Sequence, residues 1–111
     1  MDKQQVKRFA ALFRGNNRSF GEWDPKKSKN VAMRTVKEPF GEEQVVSHLS
    51  GNLGLGVVPI RDDGMCWWGA IDVDNHDKDH DLDLIGIEAK VKSLGLPLII
   101  CRSKSGGAHL Y

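Results

Sequence analysis

Residues 65–74 read Met65-Cys66-Trp67-Trp68-Gly69-Ala70-Ile71-Asp72-Val73-Asp74, and the fold turns on how they are read. An apolar, aromatic-rich run of this length predicts a strand over Met65–Val73. Side chains alternate faces along a strand, so Asp72 and Asp74 are expected on one face and Ile71 and Val73 on the opposite, packed face. Two carboxylates held so close repel each other and resist desolvation unless a cation lies between them. Magnesium takes hard oxygen ligands and is commonly held by one or two carboxylates plus substrate phosphates, which makes Asp72 and Asp74 candidate metal ligands. Asp-x-Asp is also a common ending for a solvated strand, so the pattern needs a second element beside it.

Working outward, Gly54–Ile60 predicts a strand before this one, and Arg61-Asp62-Asp63-Gly64 carries the Asp-Gly pair of a tight turn. An antiparallel hairpin of the two strands is expected. Downstream, Leu84, Ile87 and Val91 share one face of a helix over Asp81–Leu94, with Gly95 and Pro97 ending it. Leu98–Arg102 resumes as a strand, giving a strand, crossover helix, strand unit. Ser103–Gly107 is then a small-residue turn, and Ala108–Tyr111 begins a further strand. Upstream, Val6, Phe9, Ala10 and Phe13 form an apolar stripe on a helix over residues 2–14, and Val45, Val46 and Leu49 share a face of a helix over Glu42–Leu49 that Gly51 stops. Residues 15–40 read as an irregular basic arm.

The second element is Arg102-Ser103-Lys104-Ser105-Gly106-Gly107-Ala108-His109. Glycines let a backbone approach a triphosphate closely, hydroxyls and backbone N–H groups donate to its oxygens, and Lys or Arg offsets its charge. His109 offers a ring nitrogen to a phosphate while Ala108 and Leu110 face the core. The P-loop spacing is absent. A Gly-Ser hairpin turn with a surface histidine is the competing reading of this segment alone. The crossover unit changes the balance, because it brings the carboxylates and the turn to neighbouring strand ends.

Bulk properties narrow the rest. A chain of 111 residues with 40% hydrophobic and 28% charged residues suits one domain with a modest core. Ten of its 16 basic residues fall in the first 40 positions, whereas Asp72–Asp83 holds six aspartates. That separation suits a polyanion at one place and a divalent cation at another, and equally two solvated surfaces. Arg8, Arg14, Arg18, Lys26, Lys27, Lys29 and Arg34, with Phe20 and Trp23 among them, are candidates to track a nucleic-acid backbone and stack a base, Arg14, Arg18, Lys26 and Lys27 foremost. Trp67 is expected in the core and Trp68 under a helix. His76 and His80 sit in the acidic loop, where a solvated surface explains them more simply than a separate metal site. Cys66 and Cys101 lie in apolar runs without metal-type spacing and are expected to be reduced and buried. No secretory signal or membrane span is recognisable, so a soluble, cytoplasmic protein is expected.

Three ordered segments, Gly56-Val57-Val58-Pro59-Ile60, Cys66 to Asp74 and Arg102 to Leu110, resemble archaeo-eukaryotic primase (primase-polymerase) domains, closest to those of TOTE conflict systems. Phe13-Arg14-Gly15 and His48-Leu49-Ser50-Gly51 add to the likeness. The resemblance implies an α+β fold with a small, mostly antiparallel sheet and flanking helices, the N-terminal part of an RRM-like catalytic core. It implies that Asp72 and Asp74 bind catalytic Mg2+ or Mn2+ in a two-metal site, and that Ser105 and His109 contact the triphosphate, with Arg102, Ser103, Lys104, Gly106 and Gly107 around them. The family's short Ser-x-His becomes Ser-Gly-Gly-Ala-His here, which leaves open which serine contacts phosphate. A third acidic motif has no counterpart before Tyr111.

The activity so implied is template-directed nucleotidyl transfer from nucleoside triphosphates by a DNA primase or polymerase, with DNA template and primer as partners and no membrane. A catalytic remainder or a helicase on another chain or domain is a further expected partner, and the isolated chain is expected to synthesise weakly or not at all. Two other classes stay open: a non-catalytic nucleotide- or nucleic-acid-binding module, and a metal-dependent nuclease or replication initiator.

Overall fold

Asp2 begins the first helix in a computed structural model of the chain, which describes residues 2–27 and 33–111. Its carboxylate accepts from the Gln4 N–H at 3.0 Å and so caps α1, Lys3–Leu12, which Phe13 closes. Val6 is buried, and Phe9, Ala10 and Phe13 are half-buried, as the apolar stripe predicts. The second helix, α2, spans Glu42–Leu49; the Gly41 N–H donates to Gln44 Oε1 at 2.8 Å at its start. Gly51 ends it at φ 76°, a conformation that suits glycine. Val45 is fully buried, while Val46 and Leu49 stay exposed despite sharing its helical spacing. The third helix, α3, covers Leu84–Ser93 with Asp83 as its cap, accepting from the Gly86 N–H at 2.9 Å.

Among the described residues, these three helices accompany two three-stranded antiparallel sheets, an α+β arrangement. The chain divides into two compact units, Met1–Trp68 and Gly69–Tyr111. The first holds β1 (Asn16–Trp23), β2 (Arg34–Val36) and β3 (Gly54–Val58) in the order β2-β1-β3. β1 is thus a central strand within the stretch expected to be an irregular arm. The physical reason is that ladder pairing needs few apolar side chains when one of them is well buried. Phe20 is 4% exposed and faces Phe40 at 6.1 Å. Gly21 and Gly56 lie opposite each other, so the two backbones meet closely without a side chain between them.

The expected hairpin of Gly54–Ile60 with Met65–Val73 does not form. Its turn does: the Gly64 N–H donates to Arg61 O, and the Arg61 N–H donates to Met65 O. Beyond that turn β3 pairs with β1 instead, and residues 65–70 join no ladder. Trp68 donates from Nε1 to Arg14 O at 3.0 Å and meets the edge of Phe13 at 5.2 Å, which ties this segment to the end of α1. Trp67, expected in the core, is 54% exposed. The Arg14 and Arg61 guanidinium groups lie over its ring at 4.1 and 4.4 Å, cation–π contacts worth about 0.5–1 kcal/mol each at an exposed position.

The second unit holds β4 (Ile71–Val73), β5 (Ile100–Arg102) and β6 (Ala108–Leu110) in the order β4-β6-β5. β4 and β5 both run antiparallel to β6, so they point the same way with β6 inserted between them. The crossover unit read from the sequence is therefore present as β4, α3 and β5. Its core is Val91, Ala108 and Leu110, with Val73, Leu82, Leu84, Ile87, Leu98 and Ile100 packed around them. Ile71, expected on the packed face with Val73, is 51% exposed because β4 is an edge strand. Both cysteines are exposed free thiols, not buried ones. None of the described helices is long and apolar enough to cross a membrane.

Candidate functional site

In the second unit, β4 and β6 are aligned so that Asp72 lies directly opposite His109. Alternation along β6 sends Ala108 and Leu110, 0% and 4% exposed, into the core beside α3 and turns His109 to the other face. There His109 Nε2 lies 3.4 Å from Asp72 Oδ1, with 42% and 67% of the two side chains exposed. Cys101 is the partner of His109 on its other side. Tyr111 continues the same face: its hydroxyl is 3.2 Å from His109 Nδ1, and the two rings meet edge-on at 6.0 Å. Reciprocal backbone bonds between Ile99 and Tyr111, at 2.9 and 3.0 Å, extend the ladder to hold that tyrosine.

Tyr111 titrates above the ordinary tyrosine value of 10.0, first because burial disfavours the phenolate and then because negative charge at Cys101 and Asp72 repels it. No sequence argument singled out this residue. The signal was available in the spacing, since two-residue alternation puts 109 and 111 on one face.

The glycine-rich turn abuts the same strand end. The Ser103 N–H donates to Gly107 O at 2.9 Å, and Ser103 Oγ accepts from the Gly107 N–H at 3.0 Å and lies 3.4 Å from Ser105 Oγ. Gly106 has φ 87°. A Cβ on Gly107 would sit 2.3 Å from Val73 O, so glycine there lets the turn approach the backbone that leads into Asp74. Ser103 thus shapes the turn, whereas Lys104 and Ser105 are exposed at its tip. Arg102 pairs with Ala108 in the ladder, so its side chain leaves from the α3 side and not from the His109 face. Asp74 is exposed immediately after β4.

The donor chemistry at this edge fits a hard cation: Asp72 on β4 and Asp74 just beyond it are exposed carboxylates next to the glycine turn. Among the described residues no group of three or more His, Cys, Asp or Glu forms a ready-made metal cage. His80 pairs with Asp77 at 2.7 Å in the acidic loop, and Asn75 holds that loop by donating to His80 O.

In the first unit, the basic candidates are spread over separate partners. Arg14 stacks on Trp67, Arg18 pairs with Asp62 at 2.5 Å, and Lys27 lies 4.0 Å from Asp24. Lys26 and Arg8 are exposed, and Arg34 pairs with Glu22. Lys29 lies outside the described residues. Phe20 is core, and Trp23 lies against Gly54, where a Cβ would overlap its ring. A cavity of about 470 Å³ in this unit is lined by Trp23, Lys27, Arg34 and neighbours.

The chain is thus α+β, with an antiparallel sheet that pairs an acid with a histidine beside a glycine turn. Residues 4–111 match the archaeo-eukaryotic primase domain of TOTE conflict systems. The chain belongs to that family, and at the family level it is a primase-like nucleotidyltransferase domain. No curated protein matches it.

Proposed function

We propose that this chain takes part in template-directed nucleotidyl transfer from nucleoside triphosphates, with Asp72 and Asp74 as ligands of Mg2+ or Mn2+ and with Ser105 and His109 contacting the triphosphate. The observation that carries this is the direct cross-strand pairing of Asp72 with His109, 3.4 Å apart, on an exposed sheet face. A metal held by the two carboxylates would supply charge neutralisation at the reacting phosphate and activation of the attacking oxygen. In the reaction, a primer 3′-hydroxyl forms a bond to the α-phosphorus, the bond to the bridging oxygen breaks, and pyrophosphate leaves. His109 donates to a phosphate oxygen, and Lys104 at the turn tip offsets its charge. Backbone amides around Gly106 and Gly107 bring further donors without steric obstruction.

DNA template and primer are the partners this reading implies, and Arg14, Lys26 and Lys27 are its proposed backbone contacts. Arg18 is the weaker member because Asp62 already neutralises it. Calorimetric titration of a nucleoside triphosphate with and without magnesium tests the proposal. Metal-dependent binding is expected, lost in Asp72→Ala and in His109→Ala. Binding that ignores magnesium overturns the metal assignment, and strand cleavage without triphosphate would favour a nuclease.

A further inference from the structure

His109 meets a polar group of the second unit at each ring nitrogen, and the two contacts are not chemically independent. At Nε2 stands the Asp72 carboxylate, 3.4 Å away. An ionised carboxylate only accepts hydrogen bonds, so it favours hydrogen on Nε2, but at 3.4 Å and with both side chains partly exposed the bias is weak and the contact at Nδ1 decides the tautomer. A neutral imidazole has one N–H, which leaves Nδ1 as the acceptor. The group at Nδ1 is the Tyr111 hydroxyl, 3.2 Å away, and a phenol can donate to it. A phenol ordinarily titrates near pH 10, so the donor is present throughout the neutral range. The edge-on packing of the two rings and the Ile99–Tyr111 backbone bonds hold the hydroxyl in position.

We infer that Tyr111 is a positioning residue that fixes His109 in its Nε2–H tautomer, so that the imidazole presents a hydrogen-bond donor, and not a lone pair, on the Asp72 face of the sheet. The tautomer follows from the local geometry alone. Its use toward a phosphate oxygen rests on the function proposed above, because an anion is bound by an N–H and repelled by a ring lone pair. Tyr111 O–H donates to Nδ1, which leaves Nε2–H on the side where Asp72 stands, available to an incoming phosphate.

Two measurements on the 111-residue chain test this separately. Long-range 1H–15N correlation spectra at a pH where the ring is neutral, with His109→Gln used to assign the signals, read the tautomer without any ligand. The wild type is expected to show protonated Nε2 and pyridine-type Nδ1. Tyr111→Phe, which keeps the aromatic ring, is expected to show a mixture of tautomers. An Nδ1–H form in the wild type, or an unchanged tautomer in Tyr111→Phe, overturns the inference. In the second measurement, magnesium with ATP or dATP is titrated into the same proteins. Tyr111→Phe should weaken binding by roughly three- to tenfold, the scale of one neutral hydrogen bond. Equal binding by wild type and variant removes the tyrosine's role toward phosphate. Should the wild type bind no triphosphate, the proposed function fails while the spectra still decide the tautomer.

Discussion

At the residue scale, Tyr111 gives the site a direct optical handle, because it is the only tyrosine in the chain. Its phenolate absorbance should appear with a midpoint above 10.0, and Cys101→Ser or Asp72→Asn should bring the midpoint down by removing a repelling charge. The sign of the accompanying stability change follows. A pKa raised by folding leaves the stabilisation fully present below the unfolded value of 10.0 and loses it as pH rises through the folded value. Chemical denaturation above pH 10 should therefore show declining stability, with a shallower decline in Tyr111→Phe. The carboxylates and the histidine were legible as residue types, since Asp-x-Asp and a glycine-flanked histidine carry recognisable chemistry. Tyr111 shares the face of His109 by two-residue spacing, but the spacing alone does not show that its hydroxyl meets the imidazole.

At the element scale, the turn between β5 and β6 separates two kinds of glycine. Gly106 is there for its backbone angle, and an alanine would be strained by about 1–2 kcal/mol. Gly107 is there for space, since any Cβ meets Val73 O at 2.3 Å and forces β4 away from β6. Gly107→Ala should destabilise more than Gly106→Ala, by about 2–3 kcal/mol on the scale of overpacked sites, and should also weaken triphosphate binding. Denaturant midpoints of the two variants check the order. Helices were readable because apolar spacing and stop residues are local: the Val6, Phe9, Ala10, Phe13 stripe, the Leu84, Ile87, Val91 face and Gly51 announced their elements. The strands β1 and β2 were not, since polar side chains hide a ladder whose partners lie elsewhere in the chain. For the same reason the Asp62-Asp63-Gly64 turn was visible, while the choice of β1 over residues 65–70 as the partner of β3 was hidden.

At the scale of the whole molecule, the aromatic residues divide between the units: Trp23, Trp67 and Trp68 in the first, Tyr111 in the second. Tryptophan fluorescence thus reports on residues up to 68. Val45→Ala, at a fully buried position, should lower the tryptophan-reported unfolding midpoint by an amount corresponding to about 2–3 kcal/mol. Trp67→Ala should cost much less because the ring is half in solvent. Nucleic-acid binding makes a different demand, on charge summed over many residues. If Lys26 and Lys27 contact a single strand, replacing each by alanine should reduce the slope of log affinity against log salt by about 0.7, and Arg18→Ala should reduce it less.

The sequence by itself determined the α+β class, the helix positions, the crossover between Asp72 and the glycine turn, and the family, because these depend on local periodicity and on ordered motifs. Only the tertiary structure decided that Asp72 and His109 sit in direct register, that Arg102 leaves from the opposite face, and that Tyr111 closes on the imidazole. Those facts depend on which strands pair and in what alignment, and strand register is set by contacts between residues far apart in the chain.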